Sequence, residues 1–217
     1  MLSNLPSAVP PPMVSPPQAV LLDRDGVINV RRVDHVKGWQ EFTFLPGVKS
    51  ALAKLAALHL PVFVVTNQAV INRGILSREA LETMHERMCA EVAVAGGIIA
   101  EIAYCPHRPD EACQCRKPAP GMLRSLATKH RLDLSRCLMV GDTCSDLLAG
   151  KAAGCRTALV LTGQGHEERL RAQWLGLRGY LTASNLAVLV RWIEREFFAP
   201  VTYVPNQPIP APVGAAD

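Results

Sequence analysis

The sequence predicts an α/β domain built on a parallel sheet. Two observations support this fold class. Short apolar runs such as Ala19–Leu22 and Pro61–Thr66 are typical of strands buried on both faces, as in parallel sheets. Segments with apolar residues at helical spacing separate these runs, and such alternation favours right-handed crossovers with helices on both faces of the sheet. We therefore predict one Rossmann-like domain over residues 19–198.

The first half of the domain contains the clearest signals. After the strand at Ala19–Leu22 comes an irregular segment, Asn29–Leu45, which we expect to lie as a flap over the strand ends. Pro46 and Gly47 then open a helix with an apolar face, and Pro61–Thr66 forms the second strand. Ser77 is a plausible N-cap for the next helix.

The second half continues the alternation. We predict, in chain order, a strand at Ile98–Tyr104, a helix at Gly121–His130, a strand at Cys137–Asp142, a helix ending at Gly154, a strand at Thr157–Leu161, and helices at His166–Trp174 and Ala183–Phe198. The proline-rich segment 1–18 is expected to be disordered, and 199–217 is expected to be a flexible tail.

Composition narrows the functional classes. The net charge of +4 comes without a basic run or stripe, so we expect no nucleic-acid partner. No apolar stretch reaches the length of a membrane span, and no secretory signal is recognised, so no membrane association is expected. An odd number of cysteines, seven, favours a reducing compartment. We expect a cytoplasmic monomer.

Polar residues gather where the predicted strands end. Asp23 and Asp25 follow the first strand, Thr66 ends the second, and Asp142 ends the strand that begins at Cys137. The carboxyl ends of parallel strands share one edge of the sheet, which is where ligands bind in open α/β sheets. Carboxylates there can hold Mg²⁺ together with phosphate oxygens, and Lys117 can complete a phosphoryl site. An acidic turn after a strand is the alternative for Asp23 and Asp25 alone.

A second chemical pattern lies in the loop between Cys105 and Pro120. Cys105, His107, Cys113 and Cys115 offer three thiolates and one imidazole, a set that suits a structural tetrahedral Zn²⁺. Free or disulfide-bonded cysteines are the alternative. A zinc ion here would fix the loop that leads to Arg116 and Lys117.

The order of these motifs resembles that of the haloacid dehalogenase-like (HAD-like) superfamily of phosphatases. Within it, the closest similarity is to the family of D-glycero-D-manno-heptose 1,7-bisphosphate 7-phosphatases and histidinol phosphatases. The motifs that carry the resemblance are Asp23–Asn29, Thr66–Gln68, Arg73-Gly74, Cys105–His107, Cys113–Pro118, Pro120–Met122 and Val140–Asp142. The resemblance covers roughly residues 20–160.

The resemblance implies roles for individual residues. Asp23 would be the nucleophile that forms an aspartyl-phosphate, and Asp25 the general acid and base. Lys117 and Thr66 would hold the phosphate oxygens. The implied Mg²⁺ ligands are Asp23, the main-chain carbonyl of Asp25, and Asp142. The implied substrate contacts are Asn67, Gln68, Arg73 and Arg116, and the implied zinc ligands are Cys105, His107, Cys113 and Cys115.

Several features bear on the substrate. Neither interval between the motifs is long enough for a cap domain, so we expect a capless, open site shaped by the flap and the loops. The chain has Ala69-Val70 where the family usually has Ser-Gly, and Thr143 where a lysine is common. His35 could approach a substrate. Asp146 could support the metal site or simply start a helix.

The predicted function is removal of the 7-phosphate from a heptose bisphosphate, a phosphorylated sugar. Histidinol phosphate or another small phosphate ester is the alternative substrate. A non-catalytic, zinc-stabilised binding module is the alternative from another functional class, but such a module would not need Asp23, Asp25, Lys117 and Asp142 together.

Overall fold

The computed structural model of the protein describes residues 15–199. Most of the predicted N-terminal tail, 1–18, and all of the predicted C-terminal tail except Ala199 lie outside the described residues. The four described residues of the first segment contact the domain: Gln18 N donates to Arg136 O at 2.7 Å, and Gln18 Oε1 accepts from Asp133 N at 2.8 Å. These two hydrogen bonds tie Gln18 to the segment just before the strand that begins at Cys137.

A six-stranded, fully parallel sheet forms the centre of the domain. Its strands are β1 (Ala19–Leu22), β2 (Val62–Asn67), β3 (Glu101–Cys105), β4 (Cys137–Gly141), β5 (Arg156–Val160) and β6 (Leu181–Ala183). Their order in the sheet is β3-β2-β1-β4-β5-β6. The chain winds outward from β1 to β3, then returns to β4 on the other side of β1. This reversal opens a crevice at the carboxyl ends of β1 and β4.

Helices cover both faces of the sheet. They are α1 (Val48–Ala57), α2 (Arg78–Val94), α3 (Gly121–His130), α4 (Cys144–Ala153), α5 (Gly165–Trp174) and α6 (Leu186–Phe197). Successive residues of β1 alternate between two cores: Val20 and Leu22 pack with α1, α2 and α6, whereas Leu21 packs with α3 and α4. This alternation explains why β1 is apolar at every position.

The predicted α/β class is confirmed, with two local corrections. The three-residue edge strand β6 was not predicted, because so short a segment has no recognisable periodicity. It contains Ala183, where the last helix was expected to begin, and that helix begins at Leu186 instead. The strand expected at Ile98–Tyr104 begins only at Glu101, because Ile98 lies exposed before the sheet. Within residues 15–199, no helix is long and apolar enough to cross a membrane.

The segment Asn29–Leu45 connects β1 to α1 and lies beside the crevice. Trp39 stacks on Phe42 with ring centroids 5.1 Å apart, and Phe44 meets Phe42 edge-on. Asn29 forms an isolated bridge with Phe44, which closes the segment on itself. Between residues 15 and 199 no separate cap domain is inserted, so the crevice stays open to one side.

Candidate active site

The carboxyl ends of β1, β2 and β4 surround a cavity of about 210 Å³. It is lined by Asp23, Arg24, Asp25, Arg31, Arg32, His35, Val36, Thr66, Asn67, Gln68, Arg116, Lys117, Asp142, Thr143, Ser145, Asp146 and Gln164. All but one of the residues predicted to bind or transform a substrate line this cavity. The exception is Arg73, whose guanidinium lies 3.1 Å from the His35 ring at the rim.

Asp23 stands at the end of β1, and its carboxylate faces a buried ammonium group. Lys117 Nζ lies 2.9 Å from Asp23 Oδ1. Burial raises the pKa of Asp23 to about 6, and the Lys117 charge offsets part of this rise. The carboxylate therefore lies in a poorly solvated part of the cavity, beside a fixed positive charge.

Lys117 lies at the centre of the charge network and is almost completely buried. Its ammonium donates to Val65 O at 2.7 Å and lies 2.6 Å from Asp146 Oδ1. Burial alone would lower the pKa of Lys117, but the carboxylates of Asp146 and Asp23 outweigh burial and raise it. Lys117 is thus held as a fixed positive charge next to Asp23.

Three carboxylates converge on one point of the cavity. Oxygen atoms of Asp23, Asp142 and Asp146 all lie within 4.8 Å of one another. Asp142 Oδ2 accepts from Gln164 N at 2.9 Å, while Asp142 Oδ1 is buried without a hydrogen-bond partner among the described residues. Burial, reinforced by the neighbouring carboxylates, raises the pKa of Asp142 to about 8. A hard divalent cation such as Mg²⁺ fits this oxygen set and would satisfy the unpartnered atom.

Gly26 makes room for this cluster. Its φ of +90° is a conformation that other residues rarely adopt, and a Cβ there would lie 2.1 Å from Asp142 Oδ2. The glycine that follows Asp25 in the sequence motif therefore does more than end the strand. It allows the loop after β1 to approach the Asp142 carboxylate.

Asp25 is held differently from Asp23. Arg24 Nη2 donates to both of its oxygens at 3.0 and 2.8 Å, and Asn29 and Gln68 donate at 2.9 Å each. Burial acts to raise the pKa of Asp25, but the Arg24 charge and these hydrogen bonds outweigh it, and the net pKa is lowered. Asp23 and Asp25 thus present two carboxylates with opposite pKa shifts at one strand end.

Two amide side chains of the second strand end connect the parts of the site. Gln68 Nε2 donates to Thr66 Oγ1 at 2.8 Å as well as to Asp25. Asn67 forms a pair of hydrogen bonds, each 3.0 Å long, with the main chain of Lys117. The predicted substrate contact Asn67 therefore fixes the Lys117 backbone against β2.

Asp146 lies in the carboxylate cluster with Asp23 and Asp142. The sequence alone did not decide whether this residue belongs to the site or only starts a helix. Its Oδ2 accepts from Thr143 N at 3.0 Å and from Thr143 Oγ1 at 2.6 Å, so it caps α4, while its other oxygen contacts Lys117. The helix-start interpretation of Asp146 is confirmed, and support of a metal site stays a prediction. Two features of the sequence pointed to this residue: it follows Asp142 by about one helical turn, and it is the last residue of a Thr-x-x-Asp capping box.

The flap contributes charge that the sequence did not reveal. Arg31 and Arg32 both line the cavity, although no motif pointed to them. Arg32 is paired with Asp34 at 3.0 Å and lies 3.5 Å from Glu41. Arg31 has no ion pair or hydrogen bond with any side chain of the described region. Of the departures from the family pattern, Ala69 and Val70 are buried away from the cavity lining, whereas Thr143 lines it.

The cysteine loop after β3 gathers the four expected ligands. Cys105 Sγ lies 3.6 Å from Cys113 Sγ and 3.3 Å from Cys115 Sγ, and His107 Nδ1 lies 3.2 Å from Cys115 Sγ. Zinc–sulfur bonds of about 2.3 Å in a tetrahedron place the sulfur atoms roughly 3.7 Å apart, which fits this cluster. Burial acts to raise the pKa of each of the three thiols; the Arg116 amide and neighbouring thiols lower the pKa of Cys113 to about 7, whereas the pKa values of Cys105 and Cys115 are raised.

Arg116 connects the cysteine loop to the cavity that contains Asp23 and Lys117. Its main-chain N–H donates to Cys113 Sγ at 3.4 Å, and its guanidinium donates to His107 O at 3.1 Å. Arg116 also lines the cavity and directly precedes Lys117. A metal ion in the loop would therefore fix the segment that delivers Lys117.

Comparison with known proteins gives concordant results. A HAD-hydrolase-like family model matches residues 114–189. D-glycero-beta-D-manno-heptose-1,7-bisphosphate 7-phosphatase from Pseudomonas aeruginosa is 44% identical over 146 residues, which make up 67% of this chain and 82% of that protein. The protein of the same name from Helicobacter pylori is 32% identical over 84% of this chain and all of its own length.

The fold also matches that of a solved structure. The D,D-heptose 1,7-bisphosphate phosphatase of B. bronchiseptica, in complex with magnesium and phosphate, is 37% identical with a TM-score of 0.79. The match covers 82% of this chain and 99% of that one.

Proposed function

Because the chain belongs to the HAD-like phosphatase family of D-glycero-beta-D-manno-heptose-1,7-bisphosphate 7-phosphatases, we propose that it removes the 7-phosphate of this heptose bisphosphate through a covalent intermediate on Asp23. The protein is a phosphoric monoester hydrolase, as its relatives are. The substrate, the residue roles and the cofactors are the proposed parts.

The observation that most strongly supports the proposal is the set of charged groups around Asp23. Its carboxylate lines the cavity, lies 2.9 Å from the Lys117 ammonium and stands beside Asp142 and Asp146. A carboxylate nucleophile needs its charge, and the phosphate it attacks needs neutralising. A fixed cation next to the nucleophile serves both needs, because it holds the anionic phosphate against an anionic attacking group.

The two acids would divide the chemistry. Asp23 Oδ attacks phosphorus while Asp25 gives a proton to the leaving alkoxide oxygen; water then attacks the aspartyl-phosphate as Asp25 takes a proton back. Asp25 is charged in the free site, and the negative charge of a bound phosphate favours its protonated form. Thr66 Oγ1, held by Gln68, lies where it can donate to a phosphate oxygen.

Magnesium is the proposed catalytic cation. Asp23, Asp142 and the main-chain carbonyl of Asp25 would bind it, with Asp146 beside them, and the unpartnered Asp142 Oδ1 is the observation that most favours a cation at this point. When bound, Mg²⁺ neutralises charge on the phosphate oxygens during transfer. The relative from B. bronchiseptica was solved with magnesium and phosphate.

Zinc is the proposed structural ion, bound by Cys105, His107, Cys113 and Cys115. Its four ligands would fill a tetrahedral shell and leave no position for a substrate. The contacts of Arg116 with Cys113 and His107 support a role in holding the loop. We also propose that the protein acts as a monomer in the cytoplasm.

The cationic rim supports a doubly phosphorylated substrate. The cavity floor holds the acids, whereas Arg31 and Arg116 lie on its walls, so one phosphate can reach Asp23 while the second meets the rim. Arg31 has no side-chain partner in the described region and can therefore bind a remote phosphate without breaking an ion pair. Arg73 lies outside the cavity lining and would act only through His35.

The substrate proposal is tested by phosphate release. We expect Mg²⁺-dependent release from heptose 1,7-bisphosphate, with the β anomer preferred over the α anomer and both preferred over histidinol phosphate. Preference for histidinol phosphate by more than about 10-fold in kcat/KM, or 1.4 kcal/mol, would reassign the substrate. Full turnover without Mg²⁺ would contradict the proposed cofactor.

A further inference from the structure

Arg24 is a buried side chain that connects Asp25, which lines the cavity, to His85, which does not. It lies between Asp23 and Asp25 in the sequence, and only 1% of it is exposed. One end of its guanidinium, Nη2, holds both oxygens of Asp25. The other end, Nη1, lies 2.9 Å from His85 Nε2. A buried guanidinium is costly unless its donors are satisfied, so both contacts matter for where it sits.

His85 lies outside the cavity lining, on α2, and is buried beneath the loop after β1. Its ring meets the Tyr104 ring at 61° with centroids 5.9 Å apart. A guanidinium has only donors, so the facing nitrogen of His85 must be the acceptor and the ring must be neutral. Burial, aided by the Arg24 charge, lowers the pKa of His85 to about 3, which agrees with a neutral ring.

We propose that His85 is a positioning residue for the general acid and base Asp25, acting through Arg24. This inference rests on the proposed role of Asp25. The His85 ring fixes Nη1 at one end of the planar guanidinium, and Nη2 at the other end then fixes the position of the Asp25 carboxylate. Arg24 Nε has no hydrogen-bond partner in the described region, so His85 supplies the only anchor on the side away from Asp25.

The consequence of losing this anchor follows from geometry. Without an acceptor at position 85, Nη1 and Nε of Arg24 would both be buried without partners. The guanidinium would then turn toward the cavity and its water, and Asp25 would move with it. Asn29 and Gln68 would still hold one oxygen of Asp25 each, but both are neutral amides and cannot replace the charged contact with Arg24.

The test uses the dependence of the reaction on its leaving group. A sugar alkoxide needs a proton to leave, whereas p-nitrophenolate does not, so only sugar phosphate hydrolysis depends on Asp25 as an acid. We expect His85→Leu to lower kcat for heptose bisphosphate about 10- to 100-fold and to change the phosphorylation burst with p-nitrophenyl phosphate by less than about 3-fold. His85→Gln, which keeps an acceptor, should restore most of the loss.

Controls separate positioning from packing. Tyr104→Phe keeps the ring against His85 and should leave the ratio of the two substrates unchanged. If His85→Leu does not fold, Arg24→Lys serves instead, because a single ammonium cannot hold both His85 and Asp25 in one plane. We expect the same result for this variant: a lower kcat for heptose bisphosphate and a nearly unchanged burst with p-nitrophenyl phosphate. Equal losses on both substrates, or no rescue by His85→Gln, would overturn the inference.

Failure of the substrate proposal gives a different result. If the parent protein does not hydrolyse heptose bisphosphate, the proposed substrate is wrong, but the comparison can be made with another alkyl phosphate that the protein hydrolyses. A leaving-group effect of His85→Leu on that ester would still support the positioning role, and its absence would still refute it.

Discussion

The two clusters of candidate metal ligands are built in opposite ways. The four thiolate and imidazole ligands come from one loop, between Cys105 and Cys115, and contact each other directly at 3.2–3.6 Å. The three carboxylates come from the end of β1, the end of β4 and the first turn of α4, and they meet only when the sheet has formed.

The difference shows what each cluster is suited to do. The cysteine cluster does not line the active-site cavity, and its ligands would complete a closed shell, so its effect on catalysis would pass through Arg116 and Lys117. The carboxylate cluster lines the cavity and keeps an unpartnered oxygen, so it can share a cation with a substrate phosphate. Damage to each cluster should therefore give a distinguishable result.

The largest effect is expected at the carboxylate cluster. Asp142→Asn removes one charged ligand while leaving the shape of the side chain, and we expect kcat/KM to fall by 10³-fold or more, on the order of 4 kcal/mol. Zinc content, measured by metal analysis, should stay at the parent level. A variant that loses zinc together with activity would show that the two clusters are not separable.

The same substitution should stabilise the metal-free protein at high pH. Burial raises the pKa of Asp142 to about 8 from 3.8, so the folded state keeps a proton that the unfolded chain has released, and its free energy of unfolding falls as the pH rises from about 4 to about 8. Without Mg²⁺, Asp142→Asn should therefore have the higher Tm at pH 8, by roughly 2–4 °C per kcal/mol recovered. The gain should vanish near pH 4, and an equal gain at both pH values would contradict the assignment.

A smaller and indirect effect is expected at the cysteine cluster. Cys115→Ser should lower the zinc content, lower the Tm, and reduce kcat by about 10- to 100-fold because the Arg116–Lys117 segment loses its support. Cys89→Ser, on the partly exposed face of α2, is the matched control and should keep zinc and activity. Unchanged kcat in a zinc-free protein would separate the loop from catalysis.

The smallest effect is expected at the rim. Arg31→Ala should raise KM for the bisphosphate about 10-fold with little change in kcat, since a remote phosphate contact contributes to binding alone. Arg32→Ala removes the same charge from an arginine already paired with Asp34, and its effect should be less than about 3-fold. Similar effects from both variants would mean that the rim acts by overall charge.

Much of this site could be predicted because each part is marked by a short local pattern, a strand end or a cysteine spacing. Strand ends placed Asp23, Thr66 and Asp142 on one edge of the sheet, and spacing alone placed the cysteines together. Asp146 remained open because a capping carboxylate and a site carboxylate look the same in sequence. Arg31 and His85 gave no signal, because one lies in a segment without periodicity and the other on an ordinary helix face.

The central claim, that Asp23 becomes phosphorylated, is tested most directly by trapping. With Asp25→Asn and p-nitrophenyl phosphate, phosphoryl transfer needs no acid but hydrolysis still needs the base, so the intermediate should accumulate. We predict a burst of p-nitrophenolate approaching one equivalent per protein, and homoserine at position 23 after borohydride reduction and peptide mass spectrometry. Reduction at another carboxylate, or a burst with Asp23 unmodified, would contradict the account.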